Sequence, residues 1–417
     1  MDQRIASQVV ESLRKGTPPQ RGVDLYSVGN EKLIAGIKKF HLSGIEEKGI
    51  IRFLNGSWGA GKTHFFRRLR EVAFQNNCLV SNVQLDQAAA LNKFESVFYS
   101  ILRNISTASY LTETEAAPFG QVLKESLAYL STGNCEVSNE VSYEDYVKAR
   151  EALILDRSID IDFKKMIQKY WETFLPDSPD LALQEQNRAE ILQWFSGEGS
   201  VVMYRRRFEV NKIVNKDNAK LMLQSLAGFV RLSGYKGLLI LFDEAEQSYS
   251  IMRKSSLRDA HNNLLSLINN IEALKGLFLI YATTPDFFSH PKHGILTYGA
   301  LSGRIGEPKK EGQPRALDTI WNFDQVVTEL SDYQTAAKKI LSIYATAYPE
   351  AARELPSEVQ VEFFVKELYK EYSQFGPVRF WRVLVIALII HFDDHLEGEI
   401  RPAEIIYDDA MARAREE

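Results

Sequence analysis

The sequence predicts an α/β fold, a parallel sheet that carries a phosphate-binding loop and is flanked by helices. Three observations support this. Residues Gly56-Ser57-Trp58-Gly59-Ala60-Gly61-Lys62-Thr63 form a complete G-x-x-x-x-G-K-T loop. The apolar run Ile50-Ile51-Arg52-Phe53-Leu54 enters that loop, and His64-Phe65-Phe66-Arg67-Arg68-Leu69-Arg70 leaves it with helical spacing. Two later runs, 237–242 and 276–281, are apolar without alternation, as expected of strands buried on both faces.

Taken in order, residues 1–48 read as a helical lead-in, broken by a loop at Gly16-Thr17-Pro18-Pro19 and Arg21-Gly22. The strand, loop and helix around Lys62 lead to a second apolar segment at 78–86, which gives one βαβ unit. From about 90 to 230 the chain reads as amphipathic helices with loops, a largely helical insertion, because so long a structureless connection is improbable in a compact domain. Helical spacing over 257–274 joins the two late apolar runs into a second βαβ unit. The remainder is helical by pattern around Phe380, Trp381 and Leu384. The expected domains are 1–48, 49–318 and 319–417.

With 417 residues, 45% hydrophobic and 25% charged, the chain has the balance of an ordinary globular protein. A net charge of −5 excludes a global basic field for nucleic acid. DNA contact would need a local patch, such as Arg67-Arg68-Arg70, Arg205-Arg206-Arg207 or Lys309-Lys310; the plainer reading of each is a solvated face. Two distant cysteines, Cys78 and Cys135, argue for a reducing compartment. The N-terminus lacks a signal-peptide core, and the longest apolar stretch, 383–390, is far short of the roughly 20 residues that span a bilayer. A cytoplasmic protein without membrane contact is expected.

Each residue of the loop has a physical task. Gly56 and Gly61 permit backbone angles and approaches that a Cβ would block. The N–H groups of Ser57, Trp58, Gly59, Ala60 and the helix start through His64 surround phosphates. Lys62 neutralises β/γ-phosphate charge, and the Thr63 hydroxyl ligates Mg²⁺. Asp243, ending an apolar strand, would complete the Mg²⁺ shell, and Glu244 would polarise an attacking water; the alternative is a pair of acids at a helix start. Thr283 and Thr284 follow the next strand, where a hydroxyl would sense the γ-phosphate or simply cap a turn before Pro285. Arg304 is a candidate arginine finger toward a neighbouring subunit in a nucleotide-dependent homo-oligomer, or a surface arginine. Arg379, and less so Arg382, would reach phosphate from a C-terminal lid, or pack their stems on aromatics.

Other motifs point away from rival classes. His391-Phe392-Asp393-Asp394-His395 has histidines at i, i+4 but lacks the glutamate of H-E-x-x-H, so a solvated helix end is expected rather than a metal site. Asn215-Lys216-Asp217-Asn218 lacks the closing aspartate of a guanine-reading motif and precedes Asp243, which favours ATP over GTP. Leu232-Ser233-Gly234 lies too close to the Asp243 strand for a transporter-type signature, and no arginine-rich late motif of a two-lobed helicase accompanies Asp243-Glu244-Ala245-Glu246.

Four stretches together resemble the AAA+-like ATP-binding proteins of BREX phage-defence systems, of the BrxD type. They are Leu13-Arg14-Lys15-Gly16-Thr17-Pro18-Pro19 with Val28-Gly29-Asn30-Glu31; Asn55 through Thr63 with Phe65-Phe66; Gly234 through Glu246; and Ala282 through Phe288 with Leu301-Ser302-Gly303-Arg304. The resemblance covers about the first 310 residues. It implies an AAA+-like P-loop core with a C-terminal helical or winged-helix domain, Val28 and Gly29 beside the adenine, and an ATPase acting with other defence proteins, often near a helicase, against phage DNA. The expected cofactors are ATP and Mg²⁺. A motor, loader or regulator is the first reading; a nucleotide-gated scaffold with little hydrolysis and a helicase in its own right are the alternatives.

Overall fold

The computed structural model describes residues 2–86, 89–109, 118–135, 141–176, 181–245, 249, 252–326, 328–372 and 377–415, without the side chains of 118 and 377–379. Its centre is one sheet of six strands: β1 (Ile50–Asn55), β2 (Cys78–Gln84), β3 (Ile105–Ser106), β4 (Gly237–Asp243), β5 (Leu277–Thr283) and β6 (Ile320–Asn322), in the order β3-β2-β4-β5-β1-β6. All neighbours are parallel except β2 and β3. This is a mixed α/β architecture of the P-loop kind. Leu238–Phe242 and Leu277–Ala282 are buried, which accounts for their unbroken apolarity. Because β5 lies between β1 and β4, the carboxyl ends of three adjacent strands carry the phosphate loop, Thr283-Thr284 and Asp243-Glu244 along one edge of the sheet. Ligand sites of open α/β sheets form at such edges.

The helix Lys62–Gln75 packs one face of the sheet through Phe65, Phe66, Leu69, Val72 and Ala73. Between β2 and β4 the described residues form seven helices and the short β3, and their apolar faces join the core on the opposite face of the sheet. The chain beyond β6 forms the helices Leu330–Ala347, Glu358–Tyr372, Pro377–Leu396 and Ala403–Arg415, with no strand among the described residues.

Three findings depart from the sequence-based expectation. β6 lies past residue 318 yet pairs with β1, so the sheet continues beyond that boundary. The N-terminal helix Gln3–Arg14, capped by Asp2, buries Ala6, Val9, Val10 and Leu13 at helical spacing in the core of the C-terminal helices. Arg14 pairs with Asp393, which also accepts a 2.6 Å bond from the Tyr344 hydroxyl. His391 is not at a solvated end; its ring stacks on Phe364 at 4.1 Å.

Candidate functional site

The phosphate loop turns through Gly59 and Gly61, both at φ +81°, a left-handed conformation that favours glycine. A Cβ on Gly56 would meet the Ala60 Cβ at 2.9 Å, so the third glycine serves close approach. The Lys62 ammonium donates to the Gly56 carbonyl at 2.6 Å and the Ser57 carbonyl at 3.1 Å. Trp58, 65% exposed, lies 5.9 Å from the same ammonium.

Thr63, at the start of the helix, donates to Asp243 at the end of β4 across 3.5 Å. Burial raises the Asp243 carboxyl above its ordinary value, and the neighbouring Glu244 charge adds to this, while Lys62 opposes it. A hydroxyl beside a half-buried carboxylate is an oxygen pair suited to a hard divalent cation, whose charge would offset that penalty. Glu244 stands at φ +55°, unusual for a residue with a side chain, and its carboxylate accepts from the Gln84 amide of β2. Gln84 is thus a site residue the sequence reading passed over as part of a strand.

Asp324, just after β6, is another. Its carboxylate accepts from the Ser57 N–H at 2.8 Å and the Ser57 hydroxyl at 3.0 Å, while Asn55 donates to Asn322 at 3.2 Å. A three-residue strand gives no periodic signal, so nothing in the sequence marked this strap.

His64 is bound on the lead-in side, 2.8 Å from the Ser27 hydroxyl and 3.4 Å from the Tyr26 hydroxyl. Burial and the Arg68 charge lower its pKa to about 4. Ser27 in turn accepts at its carbonyl from Lys339, on the first C-terminal helix, at 2.8 Å. Gly29 takes φ +78°, and its carbonyl accepts from Arg68 at 2.7 Å. Arg68 is buried and paired with Asp24, and Arg70 is buried and bonded to Gln20, so Arg67-Arg68-Arg70 is not a single surface patch. Val28, Gly29, the loop from Ser57 to His64, Asp243, Glu244, Trp381 and Arg382 line a cavity of about 1080 Å³ between the lead-in, the loop and the C-terminal helices.

Other predicted residues lie elsewhere. Thr284 is buried at the start of the helix Pro285–Ser289, beside Thr283, whose hydroxyl faces the Leu54 carbonyl at 3.4 Å. Arg304 is exposed, bonds to Asn269 and does not line this cavity. The side chain of Arg379 and the residue Glu246 lie outside the described residues.

A parallel sheet with a phosphate loop, its lysine and an opposed Thr-Asp pair defines a P-loop nucleotide-binding protein. The family model of the BREX system ATP-binding protein BrxC/D matches residues 1–395, and the chain belongs to that family. It is therefore an ATP-binding component of a BREX defence system, with other components of that system as its partners. No curated protein matches the chain. Among the described residues, no helix is long and apolar enough to cross a membrane.

Proposed function

We propose that this chain is a cytoplasmic, AAA+-like ATPase that hydrolyses Mg-ATP as a motor, loader or regulator of its defence system. The observation that carries this reading is the convergence of Lys62, Thr63, Asp243 and Glu244 at the carboxyl ends of β1 and β4. Thr63 and Asp243 would hold Mg²⁺, which when bound offsets charge on the β- and γ-phosphates. The loop N–H groups and Lys62 hold those phosphates, with Val28 and Gly29 beside the adenine. Glu244, held by Gln84, accepts a proton from water as the water oxygen attacks the γ-phosphorus. The bond from that phosphorus to the β–γ bridging oxygen breaks, giving ADP and orthophosphate.

In this reading Thr284 senses the γ-phosphate, and Arg304, released from Asn269, serves a neighbouring subunit in a nucleotide-dependent homo-oligomer. Arg379 reaches the nucleotide from a C-terminal lid formed by the helices that follow β6, which moves its start past the expected 319. A helicase and DNA are the further partners it names. A nucleotide-gated scaffold differs in one respect, since it does not require Glu244. Steady-state ATP turnover of wild type and Glu244→Gln, with ATP binding measured on both, separates the two. Loss of turnover by about a hundredfold with binding retained supports hydrolysis. Equal turnover in both proteins removes Glu244 as the base.

A further inference from the structure

The cavity lined by the phosphate loop has two unlike sides. At the loop its wall is charged and polar, with Lys62, Thr63, Asp243 and Glu244. The lead-in and the C-terminal helices contribute an apolar wall instead, through Leu13, Pro18, Val28, Val385 and Met411, with the ring of Trp381 among them. The charged groups that these helices add are Asp332, Arg382 and Arg415. Asp332 is already committed, since its carboxylate accepts from the Glu329 N–H at 2.9 Å and caps its own helix.

Trp381 lies on the helix Pro377–Leu396 between Phe380, which is buried in the core of the C-terminal helices, and Leu384 one turn on, which is buried there too. Trp381 differs from both: it is only half-buried, and of the three it alone lines the cavity. Its ring is backed by Tyr333, with centroids 4.4 Å apart, and the buried Tyr333 is held edge-on by Phe380 at 4.9 Å. The indole is therefore fixed from behind by packed rings. A flat aromatic surface held in place binds a planar ring at little cost in side-chain entropy. The other indole of this cavity, Trp58, belongs to the loop itself and so to the phosphate side.

We propose that Trp381 is the surface on which the adenine of ATP stacks, so that the loop holds the phosphates and the C-terminal helices hold the base. This adds a residue to the base site beyond Val28 and Gly29, and it rests on the proposed seating of the phosphates at Lys62. ATP then bridges two parts of the molecule, the sheet with its loop and the body that carries Trp381.

Titration calorimetry of the full chain with ATP and with inorganic tripolyphosphate tests it. Trp381→Leu keeps an apolar side chain but removes the ring, and should weaken ATP binding about tenfold or more. Trp381→Phe keeps a ring and should recover most of that loss. Tripolyphosphate, which has no base, should bind wild type and both variants alike. Unchanged ATP affinity in Trp381→Leu would overturn the proposal. So would an equal loss of ATP and tripolyphosphate binding in that variant, which would mark a distorted C-terminal core rather than a base contact. If Lys62→Ala leaves ATP affinity unchanged while Trp381→Leu lowers it, the base contact stands and the seating of the phosphates at the loop fails.

Discussion

Thr63 and Asp243 are 180 positions apart in sequence and 3.5 Å apart in space. Both were legible, because each ends or begins a regular element with a strong apolar pattern. Gln84 was not: an amide at the end of a strand has no distinguishing spacing, and only the meeting with Glu244 gives it a task. Removing Lys62, as in Lys62→Ala, should weaken ATP binding by about tenfold or more in equilibrium titrations, because it deletes a charge-assisted phosphate contact. His64 makes a separate prediction. Its folded pKa of about 4 lies below the ordinary 6.5, so the unfolded chain binds more protons between those values. Stability from this group is complete above pH 6.5 and is lost as pH falls toward 4. Urea unfolding should show His64→Asn to be less pH-sensitive across that window by about 2 kcal/mol.

At the scale of elements, the phosphate loop is held from two sides that the sequence did not reveal together. β6 is three residues long, too short to declare itself by periodicity, yet it delivers Asp324 to Ser57. The connection between sheet and C-terminal helices therefore begins at the loop itself. Asp324→Ala should raise the Kd for ATP about three- to tenfold by loosening the loop, and lower stability by about 1 kcal/mol. Asp324→Asn, which keeps one acceptor, should recover part of both. Unchanged ATP affinity in Asp324→Ala would show that the strap does not position the loop. The long strands β4 and β5 were readable for the opposite reason, since burial on both faces leaves an unbroken apolar run. Helices beyond β2 were readable as a class, but their packing on one face of the sheet depends on contacts far apart in the chain.

Across the whole molecule, the N-terminal helix and the C-terminal helices form one core, and the cavity lined by the phosphate loop lies where that body meets the sheet. Amphipathic spacing in residues 3–14 announced a helix, but not which distant surface would cover it. Val10 is fully buried there, so Val10→Asp should destabilise the protein by about 3 kcal/mol or more in chemical unfolding, whereas Val10→Ile, one methylene larger, should cost less, about 1 kcal/mol. Lys339 and Ser27 connect this body to His64, next to the phosphate loop. Everything proposed for the C-terminal ends of β1 and β4 depends on ATP hydrolysis there with Glu244 as base. Phosphate production by purified protein in Mg-ATP, measured for wild type and Glu244→Gln at saturating nucleotide with partners and DNA supplied, tests it most directly. Wild type should turn over ATP, and Glu244→Gln should lose about a hundredfold of that turnover with ATP still bound. No turnover in wild type, or equal turnover in both, would contradict it.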